Sequence, residues 1–222
     1  MEYMRTLPDG AFDLAIVDPP YGIGVDRMNP LGGRVAPPSV GKSFVNHQKS
    51  RLSSGSGKLK GRALQTLDSS WDDSPPPAEY FAELRRVSRN QIIWGGNYFP
   101  LPPSRCVICW DKLQPWENFS AWEMAWTSFD SPASKFAYSA CHPGNLRKIH
   151  PTQKPVALYK WLLSKYAKPG DRILDTHLGS GSIALACHEL GFDLVGCEID
   201  ADYFNAAKGR LEEFQRQGLL AI

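Results

Sequence analysis

The chain has 222 residues, 42% of them apolar, and a formal net charge of +2 at pH 7. That is enough for one sizeable α/β domain and tight for two. No run of 18 apolar residues occurs, the first ten residues hold no signal-peptide core, and five cysteines in a chain this long make no disulfide framework, so a membrane-spanning, secreted or disulfide-stapled protein is not expected.

Residues 12–17 form a short apolar run that reads as a strand. It stops at Asp18-Pro19-Pro20-Tyr21, where the prolines end the strand and hold the next backbone extended. Beyond it, Arg27, Arg34, Lys42, Lys49, Arg51, Lys58, Lys60 and Arg62 follow one another with no acidic residue between them. This stretch carries +8 and leaves −6 for the rest of the chain. It is also rich in Gly, Ser and Pro. Residues 27–71 therefore read as a basic, flexible insertion loop within a single domain spanning 1–222, suited to phosphate contact. A solvated insertion without a partner is the alternative.

Pro75-Pro76-Pro77 opens a helix over 78–88, with Tyr80, Phe81, Leu84 and Val87 on one face. Residues 91–94 are a strand ending at Gly95-Gly96-Asn97. Residues 106–110 and 123–129 read as further strands, and 130–149 as irregular and polar. Cys106 and Cys109 form a lone C-x-x-C in an apolar run, which reads as core thiols, and no metal site is expected. A helix over 156–166, a strand over 172–175, a helix over 182–190 closed by Gly191, a strand over 193–198 and a helix over 201–217 complete the chain. The last third is a strand–loop–helix–strand–helix unit, which predicts parallel strands with ligands at their carboxyl ends.

Asp175-Thr176-His177-Leu178-Gly179-Ser180-Gly181-Ser182 lies at such an end. Gly179 and Gly181 allow close backbone approach, and Ser182 is placed to cap the helix behind them. Glu198, ending the next strand, is placed to accept hydrogen bonds from two ribose hydroxyls. A glycine loop with a distal acid equally suits a nicotinamide or flavin dinucleotide, although the spacing is not G-x-G-x-x-G. The preceding His150-Pro151-Thr152-Gln153-Lys154-Pro155 tilts the choice. It resembles the HPTxKP element of S-adenosylmethionine (SAM) dependent DNA amino-methyltransferases.

The chemistry at position 18 agrees. An exocyclic amine on a base is a poor nucleophile, because its lone pair is delocalised into the ring. Asp18 offers a carboxylate and Pro19 a backbone carbonyl to accept its two N–H groups, so that the nitrogen pyramidalises. Tyr21 offers a face for a flipped base. No Pro-Cys pair, which a C5-cytosine enzyme would need, is present.

The chain thus resembles the β group of N6-adenine/N4-cytosine DNA methyltransferases, and within it the short phage and prophage adenine methylases. Residues 92–99 and 123–129 share in that likeness, which spans nearly the whole chain. The resemblance implies a Rossmann-like SAM-dependent methyltransferase fold: α/β, a mostly parallel sheet with helices on both faces, and a permuted motif order. It implies catalysis by Asp18, Pro19, Pro20 and Tyr21. It implies cofactor contacts from Asp175, Gly179, Ser180, Gly181, Glu198, His150, Thr152 and Lys154, with Lys154 near the methionine end. Asn97 and the eight basic residues are the expected DNA contacts. SAM is the expected cofactor and double-stranded DNA the partner, with a homodimer as a further option, in the cytoplasm of a bacterial or phage-infected cell.

Three departures qualify the expectation. The glycine motif usually begins Asp-Pro-Phe, and here it reads Asp175-Thr176-His177, with His177 expected as a packing replacement. Members usually carry a strand ending in Asp-Cys ahead of the equivalent of Met1. No long target-recognition segment separates the two halves. The expected product is N6-methyladenine. N4-methylcytosine is the first alternative, although those enzymes more often have Ser at position 18. An inactive prophage remnant that binds DNA is the second. RNA and protein-glutamine methyltransferases usually place the glycine loop before an Asn-Pro-Pro-Tyr motif, the reverse of the order here.

Overall fold

The computed structural model describes residues 1–23, 72, 74–114, 120–139, 149–150 and 152–219. The eight basic residues between 27 and 62, and Pro151, lie outside them. The described elements, in chain order, are α1 (Glu2–Arg5), β1 (Phe12–Val17), α2 (Ala78–Val87), β2 (Ser88–Trp94), β3 (Val107–Asp111), β4 (Trp122–Thr127), β5 (Ser134–Ala137), α3 (Val156–Tyr166), β6 (Arg172–Asp175), α4 (Ser182–Leu190), β7 (Asp193–Gly196) and α5 (Ala201–Leu219).

The seven strands form one sheet in the order β5-β3-β4-β2-β1-β6-β7. β1 is central and parallel to both β2 and β6, and β6 is parallel to β7. β4 runs antiparallel to β2 and β3, while β5 lies parallel to β3.

β1 is apolar on both faces because both are covered. Its alternate residues Leu14 and Ile16 face a core built with Leu158, Leu162 and Leu163 of α3 and Ile183 and Ala186 of α4. Ala15 and Val17 face the opposite core, with Tyr80, Phe81, Leu84 and Val87 of α2 and Met4 of α1. The spacing of these α2 residues is the stripe expected of a helix laid on a sheet. Pro155 and Pro77 stand at the starts of α3 and α2, where a missing N–H costs nothing. Gly191 ends α4 in the left-handed conformation, as expected.

Two readings of the sequence need correction. Residues 130–149 are not wholly irregular, since β5 lies within them and pairs with β3. Ser182 is not the cap of α4. Gly181 holds that position without a side-chain bond, and Ser182 is the first helical residue. No described helix is long and apolar enough to cross a membrane.

Candidate active site

Strand register sets the site. Val17 lies opposite Ile93, Ala15 opposite Leu174 and Asp175 opposite Gly196. The parallel strands therefore deliver Asp18, Gly95, the 175–182 loop and Glu198 to one edge of the sheet, at its carboxyl ends.

Asp18 is engaged on both oxygens. The Tyr21 hydroxyl donates to Oδ1 at 2.7 Å. The Lys154 ammonium donates to Oδ2 in a very short contact. The Tyr21 ring stacks on Tyr98, with centroids 4.9 Å apart and planes 15° from parallel. Gly95 makes this possible: it has φ +69°, and a Cβ there would fall 2.2 Å from the Tyr21 ring. Burial, and then the nearby Asp18 carboxylate, push the Tyr21 phenol well above its ordinary range, so Tyr21 stays a hydrogen-bond donor. Asp72, almost wholly buried, accepts the backbone N–H groups of Tyr21 at 2.7 Å and Gly22 at 2.9 Å and so fixes the turn.

Lys154 continues the network inward. Its side chain is 3% exposed, its ammonium lies 3.1 Å from Glu123 Oε2 without hydrogen-bond alignment, and it sits 5.1 Å from the centre of the Trp94 ring. Glu123 Oε1 meets the Lys112 ammonium at 2.5 Å. Burial opposes ionisation of Glu123, but the ammonium groups of Lys154 and Lys112 outweigh it and hold its carboxyl far below the ordinary carboxylate range. Burial likewise works against the Lys154 ammonium, yet the carboxylates of Asp18 and Glu123 raise its pKa above the usual lysine value.

The glycine loop is held from three sides. Glu198 Oε2 accepts the Gly179 N–H at 2.7 Å, and its Oε1 accepts the N–H groups of Ile199 at 2.9 Å and Asp200 at 3.1 Å. Arg210, reaching from α5, donates to the Ser180 carbonyl at 2.9 Å and the Ser182 hydroxyl at 3.0 Å. Gly181 has φ +67°, and a Cβ there would press on Ala207 of α5 at 3.0 Å. His150 faces Gly179 and packs edge-on against Tyr203, and its Nδ1 lies 3.0 Å from the Thr152 hydroxyl. Burial, and then the Lys154 ammonium, lower the His150 imidazole to about 4, so it is neutral at pH 7.

Asp175 is buried and accepts the His177 N–H at 2.9 Å. Burial pushes its carboxyl up to about 8; that hydrogen bond works the other way, and the carboxylates of Asp18 and Glu198 add to the rise. His177 and Thr176 are met by Tyr80, whose hydroxyl lies 2.6 Å from Thr176 Oγ1. Burial lowers the His177 imidazole below its usual value, and its ring packs edge-on against Tyr80. A cavity of about 290 Å³ opens here, with Pro20, Tyr80, Thr176 and His177 among its lining residues.

The fold thus gathers Asp18, Pro19, Pro20, Tyr21, Asp175, Gly179, Ser180, Gly181, Glu198, His150, Thr152 and Lys154 at one edge, while Asn97 stands exposed on the turn after β2. Lys154 contacts the acid of the Asp-Pro-Pro-Tyr turn. Ser180 is buried and its hydroxyl meets that of Ser182, so it shapes the loop. Sequence reading missed Asp72, Tyr80, Lys112, Glu123 and Arg210. A carboxylate in the apolar run of β4 was the available signal for Glu123.

A family model described as DNA methylase, the N6/N4 methyltransferase model, matches residues 92–209. The type II methyltransferase M.HpaI of Haemophilus parainfluenzae is 37% identical over 83 residues, covering 37% of this chain and 26% of its own length. M1.MboII of Moraxella bovis is 33% identical over 147 residues, covering 65% of this chain and 49% of its own. The chain thus spans about a quarter of one of these relatives and about half of the other. Among solved structures, the M1.HpyAVI–SAM complex matches with a TM-score of 0.54 at 20% identity, over 94% of this chain and 91% of that one. The PvuII cytosine-N4-specific DNA methyltransferase matches with a TM-score of 0.53 at 12% identity, over 96% and 86%. The fold is the Rossmann-like fold of these methyltransferases.

Proposed function

The chain belongs to the DNA methylase family of N6/N4 amino-methyltransferases, and from that premise we propose that it moves the methyl group of SAM to the exocyclic N6 amine of adenine in double-stranded DNA. The Asp18 carboxylate carries this reading. It stands at a strand tip beside the glycine loop, with one oxygen clamped by Lys154 and the other bonded to a hydroxyl that an incoming amine can replace.

The residues suit SAM. Asp18 and Glu198 place carboxylates at the strand ends, and Asp175 beside them can ionise when a cation enters, which fits a ligand bearing a sulfonium and an ammonium. The left-handed glycines leave the loop backbone bare, and the cavity beside His177 gives room for part of a nucleoside. Glu198 would hold the ribose, and Asp175, His150 and Thr152 would line the rest. When bound, the cofactor supplies an electrophilic methyl group. The chain supplies orientation. Asp18 Oδ1 and the Pro19 carbonyl accept the two amine hydrogens, so the nitrogen lone pair turns out of the ring plane. The Tyr21 hydroxyl yields its place on Asp18, and its ring offers a stacking face for the flipped base. Arg27, Arg34, Lys42, Lys49, Arg51, Lys58, Lys60 and Arg62 are the candidate phosphate contacts that would hold the duplex, with Asn97 at the rim.

Incubation with bulk DNA and SAM, followed by nucleoside mass spectrometry, tests the reading. N6-methyladenine is the expected product, because position 18 carries Asp. N4-methylcytosine alone would overturn the base assignment. SAM binding with no modified base would point to a DNA-binding remnant.

A second expectation concerns pH. A cation entering beside Asp175 favours its ionised form, so binding should release a proton wherever Asp175 starts protonated, below about 8. SAM affinity should then rise with pH from 6 to 8, by up to roughly tenfold per unit, and level off above. Calorimetry in two buffers of different ionisation enthalpy reads the proton directly. A flat dissociation constant across that range would mean that Asp175 keeps the same protonation state on binding, and would overturn this expectation.

A further inference from the structure

Lys154 is the least explained charge in the site. A buried ammonium costs several kcal/mol of lost hydration, and an apolar side chain could fill the same space. The place it occupies suggests what it does. It starts at the turn before α3, points away from solvent and ends between Asp18 Oδ2, Glu123 Oε2 and the face of Trp94. Glu123 is itself anchored by Lys112, beyond the end of β3. An alternating chain of charges, Lys112, Glu123, Lys154 and Asp18, thus runs from the β3–β4 side of the sheet to the tip of β1.

We propose that Lys154 is a positioning residue for Asp18 rather than a ligand of the cofactor: by clamping Oδ2 it fixes the carboxylate plane and leaves Oδ1 as the one acceptor presented to the target amine. This rests on the reading of Asp18 as the amine acceptor. The clamp has an electrostatic side as well. The charged and titratable groups facing Lys154 and Asp18 are Tyr21 after β1, Glu123 on β4 with Lys112 behind it, Tyr159 on α3, His150 before α3, and Asp175 on β6. The carboxylates among them repel a charge on Asp18, and Lys154 is the cation in contact with it. It therefore holds the Asp18 carboxylate in place beside them. Glu123 in turn keeps the ammonium from swinging towards the cofactor.

Lys154→Met is the test, read by SAM calorimetry, by kcat for methyl transfer at saturating SAM, and by rescue in Lys154→Arg. The SAM dissociation constant should change by less than about threefold, since the clamp does not touch the cofactor. kcat should fall at least about tenfold, because Oδ2 loses the contact that fixes the carboxylate plane and small misplacements in a catalytic site are costly. Lys154→Arg, which can keep a donor on Oδ2, should restore kcat in part. A tenfold loss of SAM affinity with kcat unchanged would make Lys154 a cofactor ligand and overturn the proposal. If wild-type protein methylates no DNA, the proposed activity fails on its own, and the clamp is then judged by a crystal structure of Lys154→Met. An Asp18 carboxylate that keeps its orientation there sinks it. Should that variant not fold, Lys154→Met/Glu123→Gln, which removes both buried charges together, is read the same way.

Discussion

Asp18→Ala should lose at least about a hundredfold in kcat at saturating SAM while binding the cofactor almost as well as wild type. The reason is geometric. On the proposed reading the Asp18 carboxylate turns the amine, and losing one oriented hydrogen-bonding group in a catalytic site costs on the order of 10²–10³ in rate. The glycine loop is untouched by the change, since Glu198 and Arg210 hold it. The substitution also strips Lys154 of one of its two carboxylates, and breaking a buried pair can cost about 3–5 kcal/mol of stability. Asp18→Asn is therefore the necessary companion. It keeps the volume and one acceptor oxygen, leaves less strain on Lys154, and should still be slow, because an amide accepts more weakly and has to be turned the right way. Equal losses of SAM affinity and kcat in both variants would show that Asp18 chiefly serves the cofactor.

The parts of this site that are local in sequence were legible, and the parts that only folding brings together were not. Prolines after an apolar run and glycines before a helix punctuate the chain wherever they occur, so the Asp18–Tyr21 turn and the 175–182 loop could be placed on strand tips directly. The strand Arg172–Asp175 and the helices Val156–Tyr166 and Ser182–Leu190 match their expected bounds, because apolar content and period agree there. β5 escaped notice because it is a four-residue edge strand with an exposed lysine and alanine. The α2–β2 junction was blurred because the helix passes straight into the strand at Ser88, with no intervening turn residue. The Lys154–Asp18 pair spans 136 positions and the Tyr80–Thr176 contact 96, distances over which a single sequence carries no pairing signal. His177 shows the same limit. The departure from Asp-Pro-Phe was visible, but the Tyr80 hydroxyl that accommodates Thr176 and His177 was not. Ser182 was misjudged for a different reason: a serine after glycine looks like a cap, yet the left-handed glycine itself takes that position.

Glu198→Ala should raise the SAM dissociation constant by roughly ten- to a hundredfold, the equivalent of about 1.5–3 kcal/mol for lost hydrogen bonds to a charged group. Two effects act together. The carboxylate would accept the ribose hydroxyls, and it already braces the loop by accepting the Gly179 N–H on one oxygen and those of Ile199 and Asp200 on the other. Without it, Gly179 loses its tie to the end of β7 and the loop must be ordered at the expense of binding. Glu198→Gln separates the two. Its amide oxygen can keep either the Gly179 side or the Ile199–Asp200 side, but the opposite side then meets an NH₂ group that cannot accept. Its affinity should therefore fall between those of wild type and the alanine variant. In both variants kcat at saturating SAM should change far less than in Asp18→Ala, because Asp18 and Pro19 at the tip of β1 remain in place. A dissociation constant unchanged in Glu198→Ala would put the ribose elsewhere and leave Glu198 as a loop brace alone.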